Sequence, residues 1–124
     1  MLSIINIIQL IGFTLLMSMG QLLFKKTAMT ITNNSITEAT GLLEGIIRAL
    51  QIPWLYAALL VYALATMLWL YILQRIPLTI AYPFSALAMI LVPLLSIYFF
   101  SEKLTLSYFL GAFFIILGIT IIAK

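Results

Sequence analysis

The charged residues of this chain fall into a few clusters, and the gaps between the clusters limit what the chain can become. Lys25, Lys26, Glu38, Glu44 and Arg48 lie between 25 and 51, Arg75 stands in one short break, Glu102 and Lys103 stand in another, and Lys124 is the last residue. Four blocks without a charge remain, at about 2–24, 53–73, 77–100 and 105–123. Each is close to the ~20 residues that an α-helix needs to cross a hydrocarbon core of ~30 Å. The expectation is an all-α integral membrane protein with four transmembrane helices in a compact bundle, a single transmembrane domain over 1–124. The composition agrees, with 65% hydrophobic and 7% charged residues, far from the balance of a soluble domain.

The first block lacks a basic leading region and a small-residue cleavage site, so it reads as a retained helix. The breaks LQRIPL and FFSEKLT are short enough to force antiparallel neighbours. The longer connection begins polar, TITNNSIT, and continues as EATGLLEGIIRAL, where Leu42, Leu43, Ile46, Ile47 and Leu50 recur at helical spacing and Glu44 and Arg48 pair four apart. That pattern predicts a short amphipathic helix at about 38–50 lying in the interface, with a one-turn extension of the second span as the alternative. Pro53 suits the first turn of the second span and Trp54 the headgroup level. Basic residues number four on the side of the first and third loops (Lys25, Lys26, Arg48, Lys103) and two on the other (Arg75, Lys124); that count favours cytoplasmic loops.

The chain has no Cys and no His, which excludes disulfides, thiolate metal sites and imidazole acid/base chemistry. No cofactor or metal is expected, and with all three acids outside the blocks an enzyme is disfavoured. The net charge of +3 sits at helix ends, which suits anionic headgroups rather than nucleic acid.

Thr14, Ser18, Gln21 and Lys25 follow one another at spacings of 4, 3 and 4, so at 100° per residue they keep within about 60° of one another. A polar stripe facing hydrocarbon would lack partners, so it should meet neighbouring helices or a wet cavity. Substrate contact and interhelical hydrogen bonding are both open to it. Tyr62, Thr66 and Trp69 share a face of the second helix, as a pocket wall or as packing. In the third, Pro83 and Pro93 each delete a backbone hydrogen bond and free the carbonyls of Thr79 and Met89. Pro83, with Tyr82 and Ser85 beside it, is a candidate hinge; a kink kept for packing is the alternative. Gly111 and Gly118 in the last helix form a small-residue face, a candidate dimer seam or an intramolecular contact.

Three words carry a family resemblance: GQLLFKK at 20–26, LATMLWLYILQRIPLTIAYPFSAL at 64–87 and FFSEKLTLSYFLGAFFIILGI at 99–119. With them the chain resembles four-helix members of the drug/metabolite transporter superfamily, EamA-like or of the small multidrug resistance type. The latter share the IP-x-x-IAY word (Ile76, Pro77, Ile80, Ala81, Tyr82) and the last-helix glycines. Their proton coupling, however, uses a membrane glutamate three residues before the glycine matching Gly20, and here that position is Met17. Without a titratable anion in the spans, exchange of a cation for protons is disfavoured.

The fit is closer to the ArnE/ArnF-type subunits of the aminoarabinose-phosphoundecaprenol flippase, through Gly20, Gln21 and Lys25, through Leu68, Trp69, Leu73 and Gln74, through Ile80 to Pro83, and through Glu102. The resemblance implies a multi-pass protein of the bacterial inner membrane that moves a polyprenyl-phosphate-linked sugar or related anionic lipid. It is expected to act as a homodimer, parallel or antiparallel, or with a sister four-helix subunit. Substrate contacts are then expected at Ser18, Gln21, Lys25, Tyr62, Trp69, Arg75, Tyr82 and Ser85. Export of a small polar metabolite and a non-transporting accessory subunit are the alternatives.

Overall fold

The computed structural model describes residues 3–34 and 41–123. Its described residues form six helices and no strand: α1 (Ile4–Asn34), α2 (Leu42–Ala49), α3 (Pro53–Leu73), α4 (Leu78–Ser85), α5 (Ala88–Phe100) and α6 (Leu106–Ile122). Three apolar stretches are long enough to cross a membrane, namely Ile4–Ile31, Pro53–Leu73 and the α4–α5 stretch Leu78–Phe100; α6 is a shorter apolar helix.

Three of the starts have a local cause. Ser3 caps α1, its hydroxyl accepting from the Asn6 N–H at 3.2 Å. Pro53 opens α3 where a missing N–H costs nothing, and the Thr105 hydroxyl accepts from the Tyr108 N–H at the start of α6. From Ile4 to Phe24 α1 rises ~31 Å at ~1.5 Å per residue, about the thickness of the hydrocarbon core. Lys25 and Lys26 therefore stand at a membrane edge, and α1 runs past them through the polar residues to Asn34. In α2 the exposed Leu42, Leu43, Ile46 and Ile47 oppose a Glu44–Arg48 ion pair of 2.6 Å. Residues 38–40 of the expected interfacial segment, Glu38 included, lie outside the described residues, as does Lys124.

α1 packs most extensively on α3 and then on α5. Ala58, Ala65 and Ile72 of α3, all at 1% exposure or less, form the seam against it, small residues letting the two backbones approach closely. Leu10, Phe13, Ile72, Ile76 and Ala81 complete the core cluster, and Phe13 stacks on Trp69 with ring centroids 4.6 Å apart. The two helices are antiparallel: Lys26 meets Trp54, Phe24 meets Tyr62 and Phe13 meets Trp69. Most other large apolar side chains are exposed, as a lipid-facing surface requires.

The third apolar block does not run as one helix. Pro83 lies inside α4, and the chain breaks into tighter turns at Ala86 and Leu87, whose N–H groups reach back three residues to Pro83 and Phe84. Pro93 sits within α5 without a second break. Pro83→Ala should let one more backbone bond form, from residue 83 to the Thr79 carbonyl, raising stability by about 1 kcal/mol. Thermal unfolding in detergent checks the effect.

Candidate functional site

The stripe on α1 divides in the structure. Thr14 and Ser18 are buried, and each donates its hydroxyl to the carbonyl four residues back, Leu10 and Thr14, at 2.9 and 2.8 Å. Their polarity is satisfied inside α1 itself, and Ser18 at 0% exposure faces no open space. Gln21 and Lys25 emerge from the bundle and find partners on other elements.

Gln21 donates its side-chain amide N–H to the Tyr62 hydroxyl. The ring of Tyr62 lies over Gly20, where a built Cβ would overlap it, and the Phe24 ring packs against it at 5.0 Å. Gly20 is thus what lets the phenol reach Gln21. Its place in the GQ-x-x-x-K word was the only signal in the sequence. Thr66, on the same helix, is exposed and returns its hydroxyl to the Tyr62 carbonyl. Trp69 is half-buried in its stack on Phe13.

Lys25 Nζ stands 3.6 Å from Glu102 Oε1, both side chains about half exposed. Glu102 is brought there by the end of α5. Ser101 closes that helix in the left-handed region (φ 56°, ψ 32°), which turns the chain back toward α1, at a cost of about 1–2 kcal/mol for a residue with a Cβ. An ion pair this exposed contributes ~0–1 kcal/mol of stability, so the carboxylate is a displaceable counter-ion. At the opposite end of the bundle the Arg75 guanidinium lies over the Tyr71 ring, 4.5 Å from its centroid.

The other expected residues lie elsewhere. Tyr82 is 67% exposed on α4, and Ser85 donates to its carbonyl. Gln21, Tyr62, Lys25 and Glu102 therefore make up the polar cluster on the α1 track, with Arg75 at the far end. Gly111 and Gly118 have nothing within 4 Å of a built Cβ. Beyond its contact with α4, α6 is held by the Tyr108 hydroxyl, which donates to the Ile90 carbonyl of α5.

The sequence that builds this helical bundle, with its polar cluster ending in a cation, is similar to known proteins. The EamA-like transporter family aligns with residues 1–124. The chain belongs to that family. Among its relatives is the probable 4-amino-4-deoxy-L-arabinose-phosphoundecaprenol flippase subunit ArnE of Aeromonas salmonicida, 41% identical over 66 residues, covering 53% of this chain and 58% of that relative.

The same-named subunit of Photorhabdus laumondii is 37% identical over 76 residues, 61% of this chain and 67% of that one. That of Yersinia pseudotuberculosis is 39% identical over 74 residues, 60% of this chain and 65% of that one. The matched region thus spans 58 to 67% of these relatives' length. No solved structure matches. As an EamA-like protein with several apolar helices of spanning length, the chain is a multi-pass protein of the bacterial inner membrane.

Proposed function

We propose that this EamA-like chain is a flippase subunit that moves a polyprenyl-phosphate-linked sugar or a related anionic lipid between leaflets. The observation that carries the reading is Lys25 at the membrane edge, held by a carboxylate that a phosphate can replace. Phosphate can take the carboxylate's place because it too accepts charge-assisted bonds from a lysine, and the exposed pair it displaces is worth only ~0–1 kcal/mol. Gln21 and Tyr62, one turn deeper, continue the track with neutral donors and acceptors. The lipid chain stays in the bilayer while the headgroup follows that track, and Ser18 and Trp69 come into contact with it only where α1 and α3 part. The break after Pro83, next to Tyr82 and Ser85, is the flexible point of the third span, and Pro93 is a second one. The names of the ArnE relatives support this substrate class.

In this reading α6 spans the membrane as a fourth helix and α2 lies in the interface. Lys25 and Arg75 occupy opposite ends of one chain. In an antiparallel dimer Lys25 of one copy would share a face with Arg75 of the other, giving both leaflets a similar cationic gate. The open glycine face of α6 supports association with a second copy or a sister subunit. Gly111→Leu combined with Gly118→Leu should therefore shift cross-linked protein in membranes from dimer to monomer. An unchanged dimer band would remove α6 as the seam.

Mass spectrometry of lipids and partners copurified in mild detergent tests the reading as a whole. Enrichment of polyprenyl-phosphate lipids is the expected result, and enrichment of none argues against the substrate class. A purified chain that moves no lipid but holds a stoichiometric partner would instead favour the accessory-subunit reading.

A further inference from the structure

A cavity lies off the Gln21–Lys25 track. A groove of about 770 Å³ runs along the neighbouring face of α1, walled by Leu22 and Leu23 of α1 and by Leu95, Phe99 and Phe100 of α5. That is within the ~300–1,000 Å³ usual for ligand sites. Among the described residues its rim is polar where Lys26, Thr30 and Trp54 meet. Lys26 Nζ lies 4.1 Å from the centroid of the Trp54 ring. Among the described residues no carboxylate lines the groove, and the nearby Glu102 is engaged by Lys25. Two adjacent lysines are thus divided: one has a carboxylate partner and faces the polar track, while the other crowns an apolar groove at the membrane edge.

We infer that this groove is a lipid-binding site, taking a membrane lipid with an anionic phosphate headgroup. The phosphate is held by Lys26 beside Trp54, and the hydrocarbon lies between α1 and α5. Three observations select that occupant. The walls are apolar, so the body of the ligand is hydrocarbon. A cation with no carboxylate among the described lining residues selects an anion. Lys26 follows the ~31 Å apolar run of α1, at the depth of lipid phosphates. A soluble anion would gain nothing from the walls, and a neutral lipid nothing from Lys26. As a loading station for the track the site rests on the flippase reading, but binding there can be measured without any flipping.

The test uses Trp54 as reporter in full-length Trp69→Phe protein, reconstituted into phosphatidylcholine vesicles. Bromine on the lipid chains quenches a tryptophan that they touch. Chain-brominated phosphatidic acid should quench Trp54 at a mole fraction about fivefold lower than chain-brominated phosphatidylcholine, the preference one lysine near a membrane surface supplies. Lys26→Gln should abolish that preference, while Lys26→Arg and the loop variant Lys103→Gln should keep it. Equal quenching by the two lipids in the Trp69→Phe protein overturns the inference whether or not any variant folds. Survival of the preference in Lys26→Gln overturns it too, as does its loss on adding inorganic phosphate, which would show a headgroup site indifferent to the chain. Preference in the Trp69→Phe protein together with no flipping by the unsubstituted protein leaves this site standing and removes the flippase reading, and the converse pattern does the opposite.

Discussion

Gly20→Ala is expected to destabilise the folded chain by about 1–3 kcal/mol, the usual cost of adding a methyl group to filled space. The added Cβ would clash with the edge of the Tyr62 ring, and the ring cannot simply swing aside because Phe24 lies against it. Moving Tyr62 also breaks its bond to Gln21, so headgroup transport should fall together with stability. A double-mutant cycle isolates the cause. In a Tyr62→Ala background the same substitution should cost little, as read by thermal unfolding in detergent. An equal cost in both backgrounds would mean that the close approach of α1 and α3 at this point is not what Gly20 secures.

Lys25→Ala is the second large effect, and it should fall on function alone. The Lys25–Glu102 pair is about half exposed on both sides, so its loss should change stability by less than about 1 kcal/mol. Loss of a charge-assisted contact to the headgroup phosphate, worth about 1.5–3 kcal/mol, should slow translocation at least about tenfold. Glu102→Gln should act in the opposite direction on binding, because it removes the competitor for Lys25 without removing the cation. Measuring unfolding and vesicle transport on the same preparations separates the two effects.

Three apolar stretches of spanning length and the shared face of Gln21 and Lys25 were legible in the sequence because each follows from a local pattern. The path of α1 beyond Phe24 was less so. Thr27 to Asn34 are polar enough to read as a loop, yet they stay helical once the chain has left the hydrocarbon. Thr27 is itself buried and bonded to the Leu23 carbonyl.

Contacts between helices distant in sequence could not be read in this way. The Lys25–Glu102 pair needs the left-handed turn at Ser101, and the Gln21–Tyr62 bond needs the absent side chain at Gly20. Lys26 looked like a membrane-edge marker, and only the packing of α5 against α1 reveals the groove beneath it. Ser18 and Trp69 share faces with the track but are taken up by an intrahelical bond and an aromatic stack. Helical spacing cannot tell a lined cavity from a filled one.

The central claim is that this EamA-like chain moves a phosphate-bearing lipid across the bilayer along α1. The most direct test reconstitutes the purified chain, with any partner that copurifies, into vesicles carrying undecaprenyl-phosphate-linked aminoarabinose. A membrane-impermeant amine reagent then follows how fast the inner-leaflet sugar becomes accessible. Labelling of the inner pool faster than in protein-free vesicles, and slowed at least about tenfold by Lys25→Ala, is the predicted result. Labelling no faster than in protein-free vesicles, or equally fast with and without Lys25, would contradict the account.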